Sequence, residues 1–405
     1  MQHVDIVVIG AGQAGLSSAY HLRRLGLTAG RDFVVLDHSP RPGGAWQFRW
    51  PTLTYDRVHG MHALPGMELS EAGVEADPDR PSSGVVGDYF AAYENAFGLR
   101  VRRPVHVRAV REAPDDPRLL LVETSAGTWR TRGVVSAAGT WDRPFWPYFP
   151  GRRDFRGRQL HTADYPGPDS EAFADKRVVV IGAGTSAVQH LLEIGPVAAH
   201  TTWVTRREPL FREGPFGSEE GREAVARVEE RVRDGLPPRS VVSVTGLPMN
   251  EAIRRARESG LLTRHPLFER ITPEGVRWPD GHTVSADTLL WATGFRPVVA
   301  HLAPLRLREP AGGIALDGTR VIGDPRVHLV GYGPSASTIG ANRAGRTAAR
   351  GLLRLLGQDT ASPAPEQRPY PVPLRGQPSP KDEGTGTAEG VLAGGAAVRN
   401  AVPVG

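Results

Sequence analysis

Six small residues in two groups set out the chemistry this chain can do. Gly10, Gly12 and Gly15 stand in Gly-Ala-Gly-Gln-Ala-Gly, with Gln13 and Ala14 before the third glycine. Gly182, Gly184 and Ala187 stand in Gly-Ala-Gly-Thr-Ser-Ala, with Thr185 and Ser186 in the matching places. In such a turn the first glycine permits the bend and the second lets backbone approach a pyrophosphate. The third, or an alanine in its place, packs helix on strand. The amides at the start of the following helix then face the phosphates with the favourable end of the helix dipole. Each group is thus a candidate dinucleotide site.

The residues beyond each turn set the two sites apart. Asp37 closes the next apolar run after the first turn, where a carboxylate accepts from ribose hydroxyls. The corresponding run after the second turn ends in Arg206-Arg207, and guanidinium groups there suit a ribose 2′-phosphate that a carboxylate would repel. That points to NADPH over NADH, although Glu208 follows directly and would face the ribose if the strand ended later. Two dinucleotide sites in one chain, the first at the N-terminus, are most simply FAD in the first and NADPH in the second. A flavin accepts the two electrons of a hydride and passes them on.

The elements that must position these residues can be read from periodicity. Val4–Ile9, the glycine turn, an amphipathic run from Leu16 to Leu25 and Phe33–Leu36 spell strand, turn, helix and strand. Arg177–Ile181, the second turn, Val188–Ile194 and Thr202–Thr205 repeat the pattern. Residues 101–131 alternate in short runs, as an antiparallel meander laid on the first domain would. Two further runs, closing at Ala138-Gly139 and at Ala292-Thr293-Gly294, read as buried strands ending on glycine, where the chain can pass tightly over a ligand. Val327–Val330 reads as a last strand, leading through Gly331-Tyr332-Gly333 into a helix over Ile339–Leu356, with Ser335, Ser337 and Thr338 as candidate caps. The expected fold class is α/β: two Rossmann-like dinucleotide-binding domains, for FAD and NADPH, with an antiparallel β-meander and a disordered C-terminal tail. The expected limits are 1–150 for the first part of the FAD domain, 151–290 for the NADPH domain and its linker, 291–357 for the return to the FAD domain, and 358–405 for the Pro- and Gly-rich tail.

Composition excludes several classes of function. The 405 residues hold no cysteine, so thiolate metal sites and redox-active cysteine pairs are ruled out. No apolar run reaches the roughly 18–20 residues of a membrane span, and the first strand begins too early for a signal peptide. The chain therefore reads as cytoplasmic, without integral membrane association. The formal net charge is +5, yet only Lys176 and Lys381 are lysines, and the arginines are spread along the chain without forming a stripe. That argues against a nucleic-acid partner. The thirteen histidines form no metal-ligand pattern with acids; His59 and His62 are the nearest pair, and no metal site is assigned.

Three further segments carry a resemblance. Gly43-Gly44-Ala45-Trp46 follows Asp37; Phe155-Arg156-Gly157-Arg158-Gln159-Leu160-His161-Thr162-Ala163-Asp164-Tyr165 precedes the second glycine turn; and the two strand-glycine segments end at Gly139 and Gly294. Together they resemble the class B flavin-dependent monooxygenases, which include the flavin-containing monooxygenases and Baeyer–Villiger enzymes. The eleven-residue segment matches that family's Phe-x-Gly-x-x-x-His-x-x-x-Tyr signature at every fixed position, and the resemblance runs from about residue 4 to 350.

The resemblance implies flavin contacts at Gly44, Ala45, Trp46, Ala138 and Gly139, and contacts at the domain junction from Thr293 and Gly294. It associates His161 with the nicotinamide cofactor, not with acid–base work; Phe155 and Tyr165 read as buried anchors fixing the linker against both domains. The activity it implies is NADPH-driven formation of a flavin C4a-hydroperoxide that oxygenates a soft nucleophile, nitrogen or sulfur, of a small molecule with molecular oxygen. Tyr165, where Baeyer–Villiger enzymes usually carry Trp, favours heteroatom over carbonyl oxygenation. The alternatives are a reductase or oxidase without substrate oxygenation, and oxygenation of a carbonyl. One departure bears on the chemistry: the family's flavin-side asparagine has Asp56 nearest its position, making Asp56 the candidate residue of the flavin and oxygen environment. The resemblance leaves a homodimer open.

Overall fold

The computed structural model describes residues 1–58, 61–75, 77–214, 218–238 and 246–357. His59 and the expected tail at 358–405 lie outside the described residues. The first βαβ unit is β1 (Gln2–Ile9), α1 (Gln13–Arg24) and β2 (Phe33–Leu36), with β1 and β2 parallel and Ile6 opposite Phe33. After α2 (Ser82–Ala96) come β3 (Val107–Ala113), β4 (Asp116–Thr124) and β5 (Gly127–Ser136).

The meander is part of the first sheet, not a layer laid on it. The first half of β5 pairs antiparallel with β4, while the whole strand pairs parallel with β1, Ile9 standing opposite Ser136. The run ending at Gly139 is therefore the continuation of the third meander strand. That continuity aims its end at the end of β1, where the glycine turn lies.

The second half is a five-stranded parallel sheet. It contains β6 (Arg158–His161), β7 (Arg177–Ile181), β8 (His200–Thr205), β11 (Arg264–Pro266) and β15 (Thr288–Trp291) in the order β11-β8-β7-β15-β6. Helix α3 (Thr185–Ile194) follows β7. Between β8 and β15 lie the short parallel pair β9 (Phe211–Arg212) and β10 (Leu247–Pro248), helices α4 (Ser218–Arg233) and α5 (Glu251–Glu258), and an antiparallel trio, β12 (Arg270–Thr272), β13 (Gly275–Arg277) and β14 (Thr283–Ser285). The chain then returns to the first sheet through β16 (Leu316–Asp317), β17 (Arg320–Val321) and β18 (Val327–Leu329), and ends in α6 (Thr338–Leu355). Strand β18 pairs parallel with β5, Val327 opposite Val134.

The central parallel strands of both sheets are buried on two faces, which is why they read as near-continuous apolar runs. In β1, Ile6 and Val8 pack toward α1, α2 and α6, while Val7 and Ile9 pack toward the meander and the returning segment. In β7, Val178 and Val180 face α3 and α5, while Val179 and Ile181 face the antiparallel trio. Each such side chain contributes about 1.5–3 kcal/mol by leaving water. The strands are thus held rigidly enough for their C-terminal ends to present a site. Among the described residues, no helix is long and apolar enough to cross a membrane.

Candidate active site

The C-terminal ends of β1, β2 and β5 open into a cleft of about 310 Å³. Gly10, Gly12, Gln13, Ala14, Asp37, Gly44, Ala45, Trp46, Ala138 and Gly139 all line it. Gly10 carries a φ of +97°, and a Cβ there would lie 2.6 Å from the Ala137 carbonyl oxygen, so the turn needs glycine. Gly15 is absent from the lining; a Cβ on it would sit 1.9 Å from the Gly10 carbonyl oxygen, which gives it the role of packing helix on strand.

The residues present fit the two cofactors. Helix α1 starts at Gly12 with no capping side chain and no acid in its first turn, so its leading amides are left for an anion. Helix α3 starts at Gly184 in the same way. Cβ atoms built on Gly139, Gly184 and Gly294 would meet nothing within 4 Å, and one on Gly12 only the Gly44 Cα at 4.0 Å. These positions are open to a ligand and closed to no part of the protein.

Asp37 is 3% exposed at the cleft wall. Its Oδ2 accepts from Arg103 Nε at 3.1 Å and its Oδ1 from the Ser39 amide at 3.2 Å. Arg103 in turn forks the Glu94 carboxylate at 2.6 and 2.7 Å, so Asp37 is held by an arginine that sequence spacing did not reveal. Burial pushes the Glu94 carboxyl up, against the pull of Arg103. At the cleft mouth, His38 Nε2 lies 3.0 Å from Asp142; that contact, opposed by burial, raises the imidazole above its usual value.

In the second half, Gly182 has a φ of +147° and a Cβ there would approach the Ala292 carbonyl oxygen to 2.2 Å. Thr185 and Ser186 open α3, and Ala187 is buried beneath it. Strand β8 ends at Thr205, so Arg206 and Arg207 follow immediately, both exposed and with no ion-pair partner among the described residues. Arg264 on the neighbouring β11 donates to Thr205 Oγ1 at 2.8 Å and adds a third guanidinium at this strand end.

The signature segment joins the halves, by a route that differs from the expected one. Phe155 and Tyr165 pack on opposite faces of the second sheet. Tyr165 reaches the first half: its ring meets Trp50 edge-on at 5.7 Å, and its hydroxyl donates to Glu193 at 3.0 Å. Glu193 on α3 also accepts from Thr52 Oγ1 at 2.8 Å and Trp50 Nε1 at 3.3 Å, clamping residues 50–52 to the second half. Burial, then the Glu193 carboxylate, holds the Tyr165 phenol well above its usual value. Beneath this clamp His190 is fully buried, neither ring nitrogen has a hydrogen-bond partner among the described residues, and burial lowers it to about 3.

Two of the expected site residues stand away from the cleft lining. His161 is wholly buried and does not line the cleft: Nδ1 accepts from the Ala163 amide at 3.1 Å and Nε2 donates to the Gly294 carbonyl at 3.0 Å. Both ring nitrogens are thus engaged by backbone. Burial lowers its pKa, keeping it neutral. Asp56 stands on an exposed turn outside the cleft lining, its carboxylate accepting from Thr54 Oγ1 and its amide donating to the Pro78 carbonyl at 3.3 Å. An aspartate with solvent beside it is poorly placed to orient oxygen in a dry site. Thr293 spends its hydroxyl on the Phe145 carbonyl.

The junction itself is aromatic. Trp141, just past Gly139, stacks on Phe295, just past Gly294, with ring centres 4.9 Å apart and planes 23° apart. Arg49 lies over Trp141 at 4.6 Å and Trp46 at 5.6 Å. The ends of both sheets therefore meet at one aromatic contact. On the other wall, Gln13 Nε2 donates to Asn342 at 2.9 Å, and His62 Nδ1 lies 3.0 Å from Thr338 Oγ1, tying the start of α6 to the glycine turn. Ser337 caps α6 through the Gly340 amide, and Ser335 is used in the preceding turn against Tyr332.

The comparisons with known proteins agree with this layout. Residues 7–233 match the family described as pyridine nucleotide-disulphide oxidoreductase. With no cysteine in the chain, the match is to the two-dinucleotide scaffold and not to the thiol chemistry of that name. An uncharacterized CzcO-like oxidoreductase of Geobacillus kaustophilus is 25% identical over 301 residues, covering 73% of this chain and 82% of its own. A Baeyer-Villiger monooxygenase of Streptomyces coelicolor is 26% identical over 355 residues, covering 82% of this chain and 64% of its own. The solved structure of a flavin-containing monooxygenase from Stenotrophomonas maltophilia is 36% identical, with a TM-score of 0.72, covering 88% of this chain and 100% of that one. The chain belongs to the flavin-containing monooxygenase family, the FAD- and NADPH-dependent oxidoreductases that this two-sheet scaffold serves.

Proposed function

We propose that this protein oxygenates a soft nucleophile, an amine nitrogen or a sulfide sulfur, of a small molecule at the expense of NADPH and molecular oxygen. The observation that carries the proposal is the Trp141–Phe295 stack, because it draws the cofactor-facing ends of both sheets to one aromatic junction. Bound FAD supplies hydride acceptance and oxygen activation.

The residues of the chain do the rest by position. The leading amides of α1 and α3 hold the two pyrophosphates, and Asp37 orients a ribose. Arg206 and Arg207 meet the 2′-phosphate with charge-assisted hydrogen bonds. His161 keeps its proton at Nε2 and fixes Gly294 there. Trp141 and Phe295 form an apolar wall at the junction, which limits the approach of water to reactive oxygen. The balance is simple: one oxygen atom goes to the lone pair of nitrogen or sulfur and the other leaves as water. NADPH provides two electrons, and its hydride with one solvent proton completes that water. No activated side-chain nucleophile is needed, and none is assigned.

Rapid mixing tests the proposal. Protein reduced anaerobically with NADPH is mixed with oxygenated buffer while the flavin spectrum is followed. A transient blue-shifted spectrum, discharged faster when a sulfide or amine is present, supports it. Direct return to oxidised flavin with peroxide release, unaffected by either substrate, would count against it.

A further inference from the structure

Arg49 lines the cleft, and its Nε is fully enclosed without a hydrogen-bond partner among the described residues. Among the described residues no carboxylate pairs with it; the half-buried side chain lies instead over two aromatic rings, Trp141 at 4.6 Å and Trp46 at 5.6 Å. Burial lowers the guanidinium to about 10, which leaves it charged at neutral pH. A desolvated charge without a counter-charge is costly, so such a group is kept where a ligand supplies the anion. Cation–π contacts with two tryptophans offset part of that cost and hold the planar fork in place.

The position of Arg49 says which ligand. The pyrophosphates already have the uncapped ends of α1 and α3, and the 2′-phosphate has Arg206 and Arg207. Arg49 lies instead at the junction of the halves: the next residue, Trp50, packs on His190 of the second half at 4.7 Å, and the charge of Arg49 contributes to lowering that histidine. Trp141 continues the aromatic wall to Phe295 and, with planes 11° apart, to Phe48. A cation set in an aromatic wall matches a molecule with an apolar body and a carboxylate.

We infer that Arg49 is a specificity-determining residue that selects carboxylate-bearing substrates, apolar sulfides or amines whose acid group pairs with its guanidinium. The turnover arm of this inference rests on the monooxygenase reading; the binding arm rests on Arg49 alone.

The test uses the FAD-loaded full chain and two matched probes, (benzylthio)acetate and its methyl ester. Binding is followed by tryptophan fluorescence and by flavin absorbance, and turnover by sulfoxide formation. The wild-type protein should bind the acid on the order of 30-fold more tightly than the ester, the scale of a desolvated charge pair. Arg49→Gln should bring the two within about threefold by weakening the acid alone, and Arg49→Lys, which keeps charge but loses the fork, should fall between. Equal binding of acid and ester by the wild type would overturn the inference. So would an Arg49→Gln protein that loses FAD or weakens for NADPH while the acid-to-ester ratio stays put, since the guanidinium would then serve a cofactor phosphate. Acid-selective binding without sulfoxide from either probe would uphold Arg49 and sink the monooxygenase reading instead.

Discussion

His161 Nε2 donates to the carbonyl oxygen of Gly294 at 3.0 Å, joining the signature segment to the strand end that faces the cofactor junction. The Ala163 amide fixes the tautomer by donating to Nδ1. A histidine in a family signature invites a catalytic role, but this one has spent both nitrogens on backbone. Replacing it with Leu removes both part-buried hydrogen bonds, at a cost of about 1–3 kcal/mol. The urea midpoint of His161→Leu should fall accordingly, and KM for NADPH should rise more than kcat falls, because the loss is one of position. An unchanged midpoint would show that the bond is dispensable.

Gly12 and Gly15 separate ligand binding from folding. A Cβ at Gly12 has its nearest neighbour at 4.0 Å, so Gly12→Ala should alter stability by no more than about 0.5 kcal/mol while sharply lowering FAD content. A Cβ at Gly15 would collide with the Gly10 carbonyl at 1.9 Å, and Gly15→Ala should cost about 1–3 kcal/mol or more in urea denaturation of the apoprotein. The reverse pattern would place the pyrophosphate elsewhere.

Much of this was legible in the sequence because the informative features are local. Glycine turns between apolar strands announce their geometry within a dozen residues, and both βαβ units, both strand-glycine ends and the last helix lie where periodicity puts them. What escaped depends on residues distant in the chain. Arg103 behind Asp37, Glu193 gripping residues 50–52, and the Trp141–Phe295 stack are each made by tertiary approach, and no spacing rule encodes them. The placement of Asp56 was illegible for the same reason: its position after Trp46 is local, but its exposure is set by where the turn at residues 55–57 sits against residues 78–80. The antiparallel meander was legible, but not its sharing of β5 with the parallel sheet, because alternation reveals a strand and not that β5 has partners of both orientations.

Arg206 and Arg207 should decide between the nicotinamide cofactors. Their replacement together by Ala should raise KM for NADPH by about 10–100-fold, the worth of one or two charge-assisted hydrogen bonds, and leave KM for NADH nearly unchanged. Steady-state NADPH and NADH oxidation measures both. Equal effects on the two cofactors would assign the 2′-phosphate to another group, for which Arg264 is the nearest candidate.

His190 makes the fold acid-sensitive. Burial lowers its pKa to about 3, against about 6.5 in an unfolded chain. Above the unfolded value both states are neutral and no penalty exists. As the pH falls below it, the unfolded chain takes up a proton that the folded one refuses, so stability declines down toward pH 3. His21, His301 and His328, each lowered to about 4 by burial, act in the same sense. Urea midpoints should therefore fall between pH 7 and pH 5, and less so in His190→Leu, which fills the same space without a proton to accept. Parallel pH profiles for the two proteins would contradict this account.

The central claim is that oxygen reaches the substrate. A single-turnover reaction of NADPH-reduced protein with ¹⁸O₂ and (benzylthio)acetate, analysed by mass spectrometry, tests it most directly. The account predicts a sulfoxide carrying one ¹⁸O atom for nearly every NADPH consumed. Unlabelled or absent sulfoxide, with hydrogen peroxide matching the NADPH oxidised, would show an oxidase and contradict it.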